Sequence, residues 1–187
     1  MIIIRYSEIG LKGKNRFFFE KKLVSNIKYC LKQNNIEFSK VTKPRGRIMV
    51  HTDKTCQMLK NVFGISSVSH TKEFLTYDDL KQSLPTIPSK NSFRVSTQRL
   101  DKNFKMTSQE VNRELGALIQ EKTNAKVDLK NADITVGIEI IENQFYLYTK
   151  TIAGYGGLPL GTEGKVYVLV EDETSLLAAW LVMKRGC

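Results

Sequence analysis

The chain has 187 residues, 41% of them hydrophobic and 26% charged, enough apolar mass to bury a core and enough charge to keep it in water. No apolar run reaches the ~18 residues of a membrane span, and the opening Met1–Ile4 meets Arg5 too soon for a signal peptide, so a cytoplasmic protein with no membrane partner is expected. Three scattered cysteines (Cys30, Cys56, Cys187) and two histidines (His51, His70) argue against a disulfide scaffold and leave a structural metal almost without ligands.

The net charge of +10 is segregated. Residues 1–60 hold 14 Lys/Arg against 4 Asp/Glu, whereas residues 61–165 hold 13 against 12 and residues 166–187 hold 2 against 3. A field concentrated in the first third attracts polyanions, with nucleic acid the commonest and a plain solvated face the alternative.

In chain order, Met1–Tyr6 is strand-prone and is followed by the polar loop Ser7–Asn15. Asn15 is placed to cap a helix from Arg16 to Lys32, with Phe19, Leu23, Ile27 and Leu31 four apart on one face. Strands over Ile36–Thr42 and Arg47–His51, a helix over Asp53–Val62 and a strand over Ile65–Glu73 complete a β-α-β-β-α-β order, the ferredoxin-like pattern, over residues 1–75. Pro85 and Pro88 mark a linker or long loop over Ser83–Ser92. A strand at Phe93–Thr97, a basic-aromatic loop at Leu100–Met106 and a helix opened by Thr107-Ser108-Gln109-Glu110 in capping-box fashion follow, with Val111, Leu115, Leu118 and Ile119 as its buried stripe. Strands at Ile134–Ile141 and Gln144–Ile152, joined by a hairpin at Glu142-Asn143, close a second α/β unit. Residues 153–164 carry five glycines and serve as a linker. Lys165–Val170 reads as a buried parallel strand and Ser175–Lys184 as a helix; one strand and one helix cannot bury both faces of a parallel sheet, so a third domain cut short at its start is expected.

For chemistry, no metalloprotease, nucleophile-elbow or P-loop string occurs, and each histidine and cysteine reads more simply as structural than as catalytic, so no catalytic residue is assigned. Three constellations fit RNA. Lys12, Lys14, Asn15 and Arg16 sit at a helix N-terminus, where amides and the macrodipole favour phosphate. Arg94, Arg99, Lys102 and Lys105 surround Phe104, which either stacks on a base or belongs to the core. Gly156-Gly157 either brings backbone amides close to a sugar-phosphate chain or forms a hinge.

The strings Arg5-Tyr6-x-Glu8-Ile9-x-Leu11-Lys12-Gly13-Lys14-Asn15-Arg16, Phe93-Arg94-Val95 with Arg99 and Phe104-Lys105-x-Thr107-Ser108, and Gly156-Gly157-Leu158-Pro159-x-Gly161-Thr162-x-Gly164-Lys165 resemble the ThiI family of tRNA 4-thiouridine synthetases, or tRNA sulfurtransferases. The resemblance runs in order along the whole chain. It implies an α+β fold: a ferredoxin-like domain (1–75), an α/β THUMP domain with a glycine-rich linker (76–164), and the first strand and helix of a Rossmann-like PP-loop domain (165–187). It further implies binding of the tRNA acceptor end in support of 4-thiouridine formation at position eight, with a link to thiamine synthesis and with a homodimer as the assembly. Where the family carries Ser-Gly-Gly-x-Asp-Ser to cradle ATP, this chain has Val170-Glu171-Asp172-Glu173-Thr174-Ser175, and of those six only Ser175 matches. Glu171 and Asp172 add bulk and negative charge where phosphate should lie, a repulsion of roughly 4 kcal/mol at about 4 Å and a dielectric near 20. No cofactor is therefore expected on this chain; the ATP and Mg2+ of the family belong to the rest of the third domain. Two readings stay open: the tRNA-recognition part of a sulfurtransferase whose PP-loop half lies on a longer or partner chain, or a stand-alone RNA-binding adapter.

Overall fold

The computed structural model describes residues 1–100 and 102–187. The chain forms two compact units, residues 1–69 with 151–187 and residues 70–150.

The first unit is built on a five-stranded sheet in the order β10-β4-β1-β3-β2, from β1 (Ile2–Arg5), β2 (Lys40–Thr42), β3 (Ile48–His51), β4 (Ser67–His70) and β10 (Ile152–Ala153). Without β10 this is the 4-1-3-2 order of a ferredoxin-like fold. β1 runs antiparallel to β3 with Ile2 opposite Val50 and Ile4 opposite Ile48. Helix α1 (Arg16–Gln33) lays Phe19, Leu23, Ile27 and Leu31 on those isoleucines and Val50, so the four-residue stripe is the buried one. The helix expected at 53–62 is only a 3₁₀ turn, Gln57–Asn61, burying Leu59 beside Cys56. The strand expected over Ile36–Thr42 shortens to three residues.

The single strand expected at Ile65–Glu73 is two strands in two sheets. β4 ends at His70, and β5 (Lys72–Phe74) pairs antiparallel with β9 (Gln144–Tyr148) in the second unit. One residue, Thr71, suffices for the transfer, so the alternating pattern runs through it unbroken. The division between the units accordingly falls at 69/70 and not at 75/76. The glycine-rich segment also leaves its expected place at the end of the second unit: β10 pairs with β4, Ile152 opposite Val68, which brings 151–187 into the first unit.

The second unit has the sheet order β5-β9-β8-β6-β7, with β6 (Ser92–Arg99) parallel to both β8 (Ile134–Ile141) and β7 (Lys126–Val127). Phe93, Val95, Val136, Ile138, Ile140, Phe145 and Leu147 pack against Val111, Leu115 and Ile119 of α3 (Ser108–Thr123). Glu142 and Asn143 both take positive φ, 50° and 63°, which makes the β8–β9 hairpin turn the primed type that matches strand twist. A short helix α2 (Tyr77–Gln82), which the sequence pattern did not indicate, adds Leu80 to this core.

Helix α3 starts as expected: Thr107 Oγ1 accepts from the Glu110 amide at 3.2 Å while the Glu110 carboxylate accepts from the Thr107 amide at 2.7 Å. Thr107→Ala is expected to lower the melting temperature of the second unit by a few degrees while Thr107→Ser preserves it, as followed by circular dichroism. Equal melting of the two variants would deny the cap its role.

Helix α4 (Glu173–Lys184) forms, but the strand expected at Lys165–Val170 does not: every residue of 165–170 is exposed, and Tyr167 is fully so. A parallel strand requires a neighbour to receive its hydrogen bonds, and none pairs with this segment among the described residues.

Candidate nucleic-acid interface

The loop between β1 and α1 is wound into two 3₁₀ turns, Glu8–Leu11 and Gly13–Asn15, which run straight into the helix. Asn15 stands at the cap position, yet its side chain makes no capping bond, and the amides of Asn15 and Arg16 already donate to the carbonyls of Lys12 and Gly13. The helix start therefore offers fewer free amides to an anion than its sequence implies.

The three cations there have different fates. Arg16 is part of the framework, its Nε 2.7 Å from Glu20 Oε1 and an Nη 2.7 Å from the Tyr6 hydroxyl. Tyr6 also donates a short hydrogen bond to Glu20, and Lys43 Nζ approaches the other carboxylate oxygen to 3.0 Å. Burial alone would raise the Glu20 carboxyl, but the bonds from Tyr6, Arg16 and Lys43 outweigh it and hold the group below its usual range. Burial and the Glu20 bond push the Tyr6 hydroxyl from 10.0 up to about 12. Lys12 leans over the Phe19 ring at 4.6 Å and faces Glu163 at 3.7 Å. Lys14 points into solvent, as do Lys21, Lys40 and Arg45 of the same unit.

In the second unit the arginines again build the frame and the lysines reach out. Arg94 donates to Thr135 Oγ1 at 3.0 Å and to the Leu129 carbonyl at 3.4 Å. Arg99 donates to the carbonyls of Phe104 at 3.0 Å and Met106 at 2.6 Å, so it shapes the loop that presents Lys102 and Lys105, both exposed. Asp101 of this loop lies outside the described residues. Phe104 belongs to the core: its ring lies 5.4 Å from Tyr77 and 5.2 Å from Phe145, which settles the choice between stacking and packing in favour of packing.

The Gly156 amide is not open to a partner, and Gly157 is packed against backbone. The Gly156 amide donates to Ile65 and its carbonyl accepts from Gly64, both at 2.8 Å. Gly157, at φ +79°, lies so close to the carbonyl of Lys184 that an added Cβ would stand 2.2 Å from the oxygen. The Leu158 amide donates to that same carbonyl, and the amides of Gly161, Thr162 and Glu163 converge on the Gly186 carbonyl at 2.8, 2.8 and 3.1 Å. Arg185 closes the arrangement on Glu8 at 2.7 Å. Gly157 is needed because backbone meets backbone there inside the first unit, whereas Gly156 has open space about its Cα and is set apart only by its positive φ of +66°.

At the start of α4, Asp172 Oδ1 accepts from the Ser175 amide at 2.7 Å, and Ser175 Oγ accepts from the amides of Glu171 and Asp172 at 2.9 and 3.0 Å. These backbone and side-chain bonds from Ser175 hold the Asp172 carboxyl below its usual range. A carboxylate thus takes the helix amide that a nucleotide phosphate would need, and Glu171 adds a second negative charge beside it.

Burial pushes the thiols of Cys30 and Cys56 up from 9.0, away from the nucleophilic thiolate. His51 Nε2 sits 3.1 Å from Thr42 Oγ1 on the neighbouring strand. Among the described residues no three His, Cys, Asp or Glu side chains group as metal ligands, and no helix is long and apolar enough to cross a membrane.

Two features escaped the sequence reading. Tyr6, Glu20 and Lys43 form one network with Arg16, although Lys43 lies far along the chain from the others. Phe17 and Phe18 stand in solvent; the signal for them was present, since neither falls on the Phe19–Leu23–Ile27–Leu31 stripe.

A family model for the ThiI ferredoxin-like domain matches residues 1–69, and one for the THUMP domain matches residues 77–150. The probable tRNA sulfurtransferase of Caldanaerobacter subterraneus subsp. tengcongensis is 42% identical over 196 residues, covering 100% of this chain and 51% of that protein. The corresponding protein of Thermococcus kodakarensis is 36% identical, with 100% and 53% covered. Among solved structures, PH1313 from Pyrococcus horikoshii superposes with a TM-score of 0.86 at 37% identity, over 99% of this chain and 65% of that one. A 4-thiouridine synthetase in complex with RNA and with bound ATP superposes with a TM-score of 0.76 at 32% identity, over 99% and 50%. The chain spans about half the length of the curated relatives it matches.

Proposed function

The chain belongs to the ThiI family through its ThiI ferredoxin-like and THUMP domains, and from that premise we propose that it binds tRNA at the acceptor end and presents it for 4-thiouridine formation at position eight. The observation that carries the reading is the similarity, over 99% of this chain, to a 4-thiouridine synthetase whose structure holds RNA. The cation layout supports it: Lys14, Lys102 and Lys105 reach solvent, and Arg99 holds the backbone of the loop that carries Lys102 and Lys105. Phosphate contact is blind to sequence, so the choice of tRNA rests on shape and on the unpaired end.

Residues 170–175 do not suit ATP, so the adenylation and sulfur-transfer steps are assigned to a PP-loop domain on a longer or partner chain, not to residues 1–187. With that partner the same route feeds thiamine synthesis, in the cytoplasm and in a homodimeric assembly. The second reading, a stand-alone adapter, is favoured by one observation: α4 caps itself and its C-terminal end is hydrogen-bonded into the first unit.

The test is filter binding of the chain to tRNA across a salt series. Each phosphate-contacting lysine accounts for about 0.7–0.9 of the log–log slope, so the double substitution Lys102→Glu and Lys105→Glu is expected to reduce the slope by about 1.5 and the affinity more than tenfold at low salt. Unchanged slope and affinity, or heparin bound as well as tRNA, would reduce the basic segments to a solvated surface.

A further inference from the structure

Phe17 and Phe18 are large aromatic side chains left in water, 67% and 53% exposed, whereas Phe19 beside them turns into the core at 6%. They occupy the first turn of α1. Helical spacing sets exposed Lys21 one turn beyond Phe17, and exposed Lys14 lies in the 3₁₀ turn that runs into the helix just before the two phenylalanines. Lys43 Nζ lies 4.2 Å from the centre of the Phe17 ring while paired with Glu20, which covers part of that ring with a fixed cation. Phe18 rests edge-on against buried Phe19, centroids 5.4 Å apart, and is braced by it. A charged helix face does not require two exposed phenylalanines to stay soluble; they work against it.

Aromatic faces open to solvent among ammonium groups are the arrangement that binds single-stranded nucleic acid, the rings stacking on bases and the cations holding the intervening phosphates. The charge argues for that occupant over a second copy of the chain, which would set one cationic surface, from the segment that carries the whole +10 excess, against another. We infer that Phe17 and Phe18 form a stacking platform for unpaired nucleobases, with the exposed Lys14 and Lys21 on the flanking phosphates. The inference rests on the RNA-binding reading above and adds to it that the ferredoxin-like unit itself engages single-stranded nucleotides.

The experiment uses the whole chain and two RNAs, an acceptor-stem hairpin with a short unpaired 3′ tail carrying 2-aminopurine and the same hairpin made blunt. The wild type is expected to prefer the tailed RNA and to change the 2-aminopurine fluorescence. The double substitution Phe17→Leu and Phe18→Leu, which keeps apolar bulk and removes the ring faces, is expected to weaken tailed RNA by about five- to a hundredfold. It should leave blunt RNA and the salt slope unchanged, and Phe17→Tyr with Phe18→Tyr should restore tail binding. If the leucine variant keeps the tail preference, or the wild type binds both RNAs equally, the platform is overturned and RNA binding stands. If the wild type binds neither RNA, both readings fall together. A change in sedimentation mass between the free wild type and the leucine variant would assign the two rings to a protein contact and overturn the platform.

Discussion

Replacing Glu20 by alanine is expected to destabilise the first unit by about 2–4 kcal/mol, the range for removing one partner from a largely buried, hydrogen-bonded charge cluster. The side chain is only 10% exposed and takes bonds from Tyr6, Arg16 and Lys43, so its loss leaves two cations facing each other and a half-buried hydroxyl without its acceptor. The direction with pH follows from the carboxyl and the phenol. Glu20 has its folded value lowered from 4.5, so its contribution is fully present above about 4.5 and is lost as pH falls through the lowered value. Tyr6 has its value raised from 10.0 to about 12, so its contribution is fully present below 10 and is lost as pH climbs through about 12. Denaturant midpoints across pH should show the wild type losing stability at both ends. Glu20→Gln should flatten the acid limb and Tyr6→Phe the alkaline limb. An acid limb unchanged in Glu20→Gln would place the titrating group elsewhere. Because the same cluster carries Arg16 and Lys43, Glu20→Ala should also loosen the first turn of α1 and weaken RNA binding, an effect the charge gain from losing a carboxylate would otherwise oppose.

Gly157→Ala is expected to release the C-terminal segment from the first unit. A Cβ at φ +79° carries the left-handed penalty of about 1–2 kcal/mol and in addition would lie 2.2 Å from the Lys184 carbonyl oxygen, backbone that cannot rotate away. The neighbouring Gly156 is the control. It also takes a positive φ, +66°, but nothing lies within 4 Å of its missing Cβ, so Gly156→Ala should show the conformational penalty alone. Hydrogen exchange separates the two. In Gly157→Ala the amides of Leu158, Gly161, Thr162 and Glu163, which donate to the carbonyls of Lys184 and Gly186, should lose protection, and limited proteolysis should cut within 165–172. In Gly156→Ala they should keep it. Equal protection in both variants would mean that the latch does not depend on close approach at residue 157.

What the sequence determined by itself was written in short repeats and local bonds. The four-residue stripe from Phe19 to Leu31 placed α1 and its buried face; Thr107 and Glu110 placed the start of α3; Glu142-Asn143 between two alternating runs placed the hairpin; and the segregation of charge into residues 1–60 pointed to a polyanion. The ordered motifs carried the family. Tertiary structure decided what depends on partners far along the chain. One residue, Thr71, moves the strand from one sheet to the other, and two-residue β10 returns the chain to the first unit, so neither leaves a mark on hydrophobic periodicity. The same holds for charge. Arg16, Arg94 and Arg99 look like phosphate ligands in one dimension, and in three their guanidinium groups are held by Glu20, Thr135 and loop carbonyls, leaving lysines to face solvent. A planar fork with several donors is the better brace and a flexible ammonium the better probe, and only the fold reveals which cation has been given which task.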